Sequence, residues 1–320
     1  MTTEPDKFEP FTPEQAEVRR GGLCASDIPQ LVLHNPRFGG PHRVWRDKTG
    51  RLERDPDTVD SLYGHAFESG VRMLYEIRTG QQVSVPGTLV HPELPLVRAT
   101  PDGLLAAKTL QIKCPRHKDD WGEDGTQDIP TEYWPQITWE MAAAGKRRCD
   151  MAIPDEYART IRIYPDLVFD EDLFREMYEY CAAWWERHVV RDVPPPVDAT
   201  KDVTEWLRRR HPRAGGTMLE DDSAETARLV RQYAEATEAE KRATAAKAAA
   251  RNALMARIGD HRGLVGSWGK VTYANVSNRL VTDWEAIARS LDPPEQVIQQ
   301  HTAVRPGHRR FDARIAKGAA

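Results

Sequence analysis

Cysteine is scarce in this chain of 320 residues: there are four, Cys24, Cys114, Cys149 and Cys181, all far apart and none in a C-x-x-C pair. That spacing argues against a thiolate zinc site and against a disulfide framework, and predicts reduced, buried small side chains. Long apolar runs are missing too, since no stretch approaches the roughly 20 residues of a membrane helix. Met1 to Glu17 is acidic and lacks the basic-then-apolar order of a secretory signal, so the expectation is a cytoplasmic protein with no membrane partner. The histidines show neither His-x-x-x-His nor Cys/His spacing, and no G-x-x-x-x-G-K-[ST] occurs, which argues against a zinc hydrolase and an ATP-driven motor. Excess positive charge is absent as well. A formal net charge of -4 argues against coating of nucleic acid by bulk charge, but leaves room for local contacts at Arg19-Arg20, Lys146-Arg147-Arg148, Arg208-Arg209-Arg210 with Arg213, and Arg305 through Arg314.

What is present reads as two parts. Three prolines, Pro194-Pro195-Pro196, follow an aromatic helical stretch that they cannot continue. The expected division is a core over 1–192, a Pro/Gly-containing linker over 193–222, and an arm over 223–320. In the core, Phe67, Val71, Leu74 and Ile77 fall at helical spacing within Gly64 to Thr79. Short strand-like runs follow at Val83 to Val85, Leu96 to Ala99, Leu104-Leu105 and Leu110 to Cys114. Helices over Thr131 to Ala144 and Glu171 to Val189 bracket strands Cys149 to Ile153 and Thr160 to Tyr164. This order predicts a mixed α/β (α+β) core with a central sheet flanked by helices. Tyr178, Tyr180, Trp184 and Trp185 are expected to fill that core rather than stack on bases. In the arm, Ser223 to Ile258 has no proline or glycine and predicts one long helix with an alanine seam, packed on the core or on a neighbouring subunit. A β-hairpin over Gly263 to Val281 and a last helix capped by Asp283 complete it.

The segment richest in chemistry is Thr100-Pro101-Asp102-Gly103 followed by Gln111-Ile112-Lys113. Residues two apart on a strand share a face, so Gln111 and Lys113 project together, about 7 Å apart, while Ile112 faces the core. A carboxylate, a second oxygen ligand and a lysine meeting at strand ends suit Mg²⁺, and magnesium suits phosphate. The same pattern also describes an ordinary Pro-Asp-Gly turn leading into an amphipathic strand. Its company is informative: Gly64-His65-Ala66-Phe67-Glu68 lies upstream and Tyr133-Trp134-Pro135-Gln136 downstream.

Together with Arg19-Arg20-Gly21-Gly22-Leu23-Cys24-Ala25-Ser26-Asp27-Ile28, these blocks resemble, in order over Arg19 to Asp192, the phage-type exonucleases of the lambda exonuclease and YqaJ-like viral recombinase group within the PD-(D/E)xK nucleases. The resemblance implies a restriction-endonuclease-like core, with the long helix and hairpin as a C-terminal extension. It implies a 5′→3′ exonuclease on double-stranded DNA ends that yields 3′ single strands for phage recombination, using Mg²⁺, with Mn²⁺ as a substitute. By the same resemblance Asp102 is the principal metal ligand, the Ile112 carbonyl another, and Glu68 a helper. Lys113 orients or deprotonates the attacking water, Gln136 contacts the scissile region, and Arg19 and Ser26, with Arg20 beside them, hold the terminal 5′-phosphate. Ser26 is also expected to cap a helix over Asp27 to Leu33. The implied partners are a single-strand annealing protein and two further copies in a ring-shaped trimer, in the cytoplasm of a phage-infected or prophage-carrying bacterium.

One position departs from the pattern. The family has Glu where this chain has Gln111, and an amide offers one neutral carbonyl oxygen in place of a charge. A charge pair at about 4 Å is worth about 4 kcal/mol at an effective dielectric near 20, so the loss weakens metal binding. Three readings stand: an engineered replacement that traps a DNA complex; a natural change compensated by Glu68 or by a migrated acid such as Glu123, Asp124 or Asp128; or a DNA-end-binding recombination module that no longer cuts.

Overall fold

The computed structural model describes residues 12–33, 39–52, 59–155, 157–276 and 278–304. They form two compact units, divided between Arg210 and His211.

The first unit begins with α1 (Pro13–Arg20), whose Thr12 and Gln15 make a reciprocal capping box. Then come β1 (Leu23–Cys24), α2 (Ile28–Val32), α3 (Pro41–Lys48) and α4 (Val59–Thr79). Four short strands follow: β2 (Leu89–Val90), β3 (Val97–Ala99), β4 (Gly103–Leu104) and β5 (Thr109–Ile112). A 3₁₀ turn at Thr131–Tyr133 opens α5 (Trp134–Ala143), and β6 (Arg148–Asp155), β7 (Thr160–Val168), α6 (Glu171–Trp185) and α7 (Lys201–Arg210) complete the unit. The expected mixed α/β core is present. Its strands make two sheets rather than one: β1-β3-β2, with β1 and β3 parallel, and a mixed four-stranded sheet β4-β5-β6-β7. β5 and β6 run parallel, which requires a crossover, and α5 lies on it. The run Val83 to Val85 contributes only a single bridge from Ser84 to Leu104, not a strand.

Two helices sandwich the four-stranded sheet. Val71 and Tyr75 of α4 pack with Leu110, Ile112, Ala152, Ile161 and Ile163 on one face. Ile137 and Met141 of α5 pack with Met151, Ile153, Tyr164 and Leu167 on the other. The opposite side of α5, with Trp139, Ala142 and Ala143, meets Leu23, Val97, Ala99, Met177, Cys181 and Trp184. α5 is thus buried nearly all round, because it fills the space between the two sheets and α6. Trp184 belongs to this core and Tyr178 and Trp185 pack against it, as expected, while Tyr180 stays largely exposed.

The unit extends past the prolines. α7, inside the stretch expected as linker, docks on α3: Asp202 accepts from both Arg43 and Arg46, and Trp206 lies 4.5 Å from the His42 ring. The second unit contains α8 (Ala224–Ile258), capped by Ser223, then the hairpin β8 (Gly263–Gly266) and β9 (Gly269–Thr272). α9 (Trp284–Leu291), capped by Asp283, and α10 (Glu295–Gln300) follow. Leu254, Met255 and Ile258 at the end of α8 face Val271 and Tyr273 of the hairpin region across an apolar cleft. Among the described residues, no helix is long and apolar enough to cross a membrane. The cluster Arg305 through Arg314 lies outside the described residues.

Trp139 has no exposed surface, and its indole N–H donates to the Leu23 carbonyl at 3.0 Å, joining α5 to β1. Trp139→Ala is expected to cost about 3–5 kcal/mol, read as a lower urea midpoint in equilibrium unfolding.

Candidate active site

Where β3 leaves the small sheet and β4 enters the large one, Thr100-Pro101-Asp102 carries the chain between them. This junction opens onto a cavity of about 620 Å³ lined by Arg19, Ser26, Glu68, Arg72, Asp102, Gln111, Ile112, Lys113, Gln136 and Glu140, among others. The structure therefore brings together every residue singled out for chemistry except Arg20, which is exposed and lies outside the cavity lining. Glu123, Asp124 and Asp128, weighed as migrated acids, do not line it. Asp124 instead accepts from Arg78 and from the Ile163 amide at 2.7 Å.

A continuous hydrogen-bond chain runs through the site. Lys113 Nζ donates to Gln136 Oε1 at 2.9 Å, Gln136 Nε2 donates to Gln111 Oε1 at 2.9 Å, and Gln111 Nε2 donates to Asp102 Oδ2. The two ends dictate the direction: an ammonium only donates and an ionised carboxylate only accepts, so each amide has one orientation that satisfies the chain. Asp102 Oδ2 also receives the Ile112 amide at 2.7 Å. The amide of Lys113 donates to the Ala152 carbonyl at 3.0 Å, which extends the β5–β6 pairing and fixes the lysine at the strand end. Its ammonium also sits 5.7 Å from the centre of the Tyr133 ring.

Arg72, which sequence reasoning missed, braces the acidic side. It donates to the Asp102 backbone carbonyl at 2.9 Å and pairs with Glu68 Oε1 at 2.6 Å. The i,i+4 spacing from Glu68 was the available sign. At the far end, Arg19 donates to the Thr100 hydroxyl at 2.8 Å and to Ser26 Oγ at 3.4 Å. The expected Ser26 cap is not formed. α2 starts at Ile28 without a side-chain cap, and the nearby carboxylate of Asp27 is occupied by the Cys24 amide and Lys48. Ser26 is exposed at the cavity edge instead.

Glu140 was also missed. It stands one helical turn after Gln136 on α5, is 1% exposed, and its Oε1 has no hydrogen-bond partner among the described residues. Burial pushes its carboxyl up to about 8, with the negative charge of Asp102 adding to the rise and Lys113 opposing it. Burial likewise pushes Asp102 up to about 6 against the pull of Lys113, while Glu68 raises it further.

Do these residues suit a divalent cation? Among the described residues, no three His, Cys, Asp or Glu side chains already stand together as a metal-ligating group. The donor chemistry nevertheless fits. Asp102, Glu140, the Gln111 amide and the Ile112 carbonyl are hard oxygen donors, and an orphaned buried carboxylate oxygen is a group that a cation would satisfy.

Comparison with known proteins shows what this chain is similar to. Residues 15–147 match the family model of the YqaJ-like viral recombinase domain, a stretch that holds every cavity residue named here. The likeness drawn from the motifs is thereby borne out. A relative is the uncharacterized protein YqaJ of Bacillus subtilis (strain 168), 21% identical over 221 residues that cover 67% of this chain and 68% of that one. Among solved structures, the alkaline exonuclease LHK-Exo from Laribacter hongkongensis is 21% identical with a TM-score of 0.48, covering 62% of this chain and 97% of its own. A phage related exonuclease from Haemophilus somnus 129PT is 10% identical with a TM-score of 0.39, covering 54% and 96%.

Both buried acids have folded-state values above their ordinary 3.8 and 4.5, so the unfolded chain loses these protons first as pH rises. Their stabilising contribution is complete below about pH 4 and is lost as pH climbs through about 6 for Asp102 and about 8 for Glu140. In chelator, thermal midpoints are expected to fall across that window, and Glu140→Gln to remove the upper limb of the fall.

Proposed function

We propose that this chain is a metal-dependent deoxyribonuclease, a 5′→3′ exonuclease on double-stranded DNA ends that leaves 3′ single strands for phage-type recombination. The observation that carries the reading is the convergence of Glu68, Asp102, Gln111, Lys113 and Gln136 with Arg19 and Ser26 on one cavity, from segments that are remote in the chain. In this reading Asp102, Glu68, Gln111 and the Ile112 carbonyl would hold Mg²⁺ or Mn²⁺, which supplies Lewis-acid stabilisation of phosphoryl charge and lowers the pKa of bound water.

The chain's own residues do the rest. Lys113 is aimed by Gln136 and orients or deprotonates the water that attacks the phosphodiester. Gln136 keeps the ammonium on the cavity side and contacts the scissile region. Arg19 and Ser26 at the opposite edge grip a terminal 5′-phosphate by charge-assisted hydrogen bonds, so the strand enters from its 5′ end and polarity follows. Arg19, Arg72 and Lys113 line the cavity together with the acids Glu68, Asp102 and Glu140, so its charges are mixed and a phosphate would be met by local contacts such as Arg19. Arg147 and Arg148 pair with Glu171 and Asp166, so that basic cluster is largely neutralised in place. Arg208 to Arg210 at the end of α7 are exposed and suited to the DNA backbone. The family resemblance extends the reading to a ring-shaped trimer in the cytoplasm with a single-strand annealing protein as partner.

A second reading, an end-binding recombination module that does not cut, is favoured by one feature: the Gln111 amide completes the chain from Lys113 to Asp102 where an acid would repel Asp102. Linear duplex, with and without a 5′-phosphate, separates the two in Mg²⁺ or Mn²⁺. The nuclease digests linear DNA and leaves covalently closed circles intact, whereas tight end binding without digestion supports the module. Digestion only by Gln111→Glu identifies an inactivated nuclease. Lys113→Met is expected to slow digestion at least about 100-fold with end binding retained. Arg19→Ala is expected to abolish the preference for phosphorylated over hydroxyl 5′ ends, measured as the ratio of initial rates.

A further inference from the structure

Position 111 lacks a charge that the site needs, and α5 holds a charge that the fold does not need. Glu140 is the one charged residue of that helix, which is otherwise buried among apolar side chains on both flanks. A carboxylate in such a place is costly unless it is paired, yet Glu140 makes no ion pair among the described residues: its Oε1 has no hydrogen-bond partner there, and the Thr109 hydroxyl and the Lys113 charge offset only part of the cost. It lines the same cavity as Asp102, and its i,i+4 partner Gln136 is bonded to Gln111 itself. The remaining cavity acid, Glu68, is already paired with Arg72, while Asp102 is in no ion pair among the described residues.

We propose that Glu140 is a further acidic ligand of the divalent cation beside Asp102 and Glu68, taking from the helix the place that an acid at position 111 fills from the strand. The proposal rests on the reading of the cavity as a metal-dependent nuclease site. It gives the site two carboxylates outside any ion pair, Asp102 and Glu140, beside the Arg72-paired Glu68, with Gln111 contributing a neutral oxygen and a hydrogen bond. It also accounts for an amide at position 111 without loss of function. The Gln111 amide donates to Asp102 where a strand carboxylate would repel it, and the acid returns on α5, where the cation would offset the repulsion between Glu140 and Asp102.

Mn²⁺ binding to the full chain tests it, by calorimetry and by the loss of the free-ion electron paramagnetic resonance signal at pH 8.5. Glu140→Gln, nearly isosteric, is expected to weaken Mn²⁺ binding at least about tenfold, to reduce the Mn²⁺-induced rise in thermal midpoint at a fixed Mn²⁺ concentration, and to leave the midpoint in chelator unchanged or higher. In a Gln111→Glu background the same change is expected to have little effect on affinity, because the strand acid is back. Binding by Glu140→Gln equal to that of the parent, with Asp102→Asn abolishing it, overturns the proposal while the metal-site reading stands. Equal sensitivity to Glu140→Gln in both backgrounds also overturns it. A parent chain that takes up no Mn²⁺ sinks that reading and the proposal together.

Discussion

The buried carboxylate of Asp102 is the constraint around which the core is arranged. It sits where one sheet hands the chain to the other, and it must be answered by donors because burial makes its charge expensive. Three of those answers come from two elements, β5 and α5. The Ile112 backbone amide and the Gln111 side-chain amide both arrive on β5, and Lys113 at the end of that strand acts through Gln136 on α5. Because each link is directional, moving any one element would leave a donor or acceptor unpaired inside the protein. The site and the packing that supports it therefore depend on the same bonds.

α5 is what makes such a chain affordable. The 3₁₀ turn before it and the proline at its start fix where Gln136 emerges, and the two apolar clusters on its flanks hold it between the sheets. On the other face, α4 is anchored by the bond from Tyr75 to buried Asp150, which also accepts Lys108. That anchoring sets the height at which Glu68 and Arg72 reach the cavity. Two helices clamped to opposite faces of one sheet thus deliver acids and amides to its end with little freedom to drift.

The second unit follows a different physics. α8 is exposed along nearly its whole length and is sustained by alanine, glutamate and basic residues of high helix propensity, with its Ser223 cap at one end and the hairpin against its other. Its form was plain from composition because local propensity, rather than burial, dictates it.

Much of the first unit was equally plain. The periodicity of α4, the strands β5 to β7 and the helix α6 are written in spacing, since each buries a face and the faces alternate with fixed periods. The residues of the Thr100 to Lys113 segment, Glu68 and Gln136 were also legible, because motif order survives where local geometry dictates residue type. The helix α7 was not: its sequence is largely polar and follows three prolines, and it takes its place through the Arg43 and Arg46 side chains on α3, the tilted contact of Trp206 with His42 and the burial of Val203. Arg72 and Glu140 were hidden for a related reason. A charged residue on a helix reads as a solvated face until the fold shows that the face is inside, and burial is a property of all the neighbours at once, which no single stretch of chain specifies. The sequence by itself determined which elements form and which side chains are capable of the chemistry. Tertiary structure alone decided that an acid on α5 would face Asp102, because that meeting depends on how two sheets and a crossover helix pack in three dimensions.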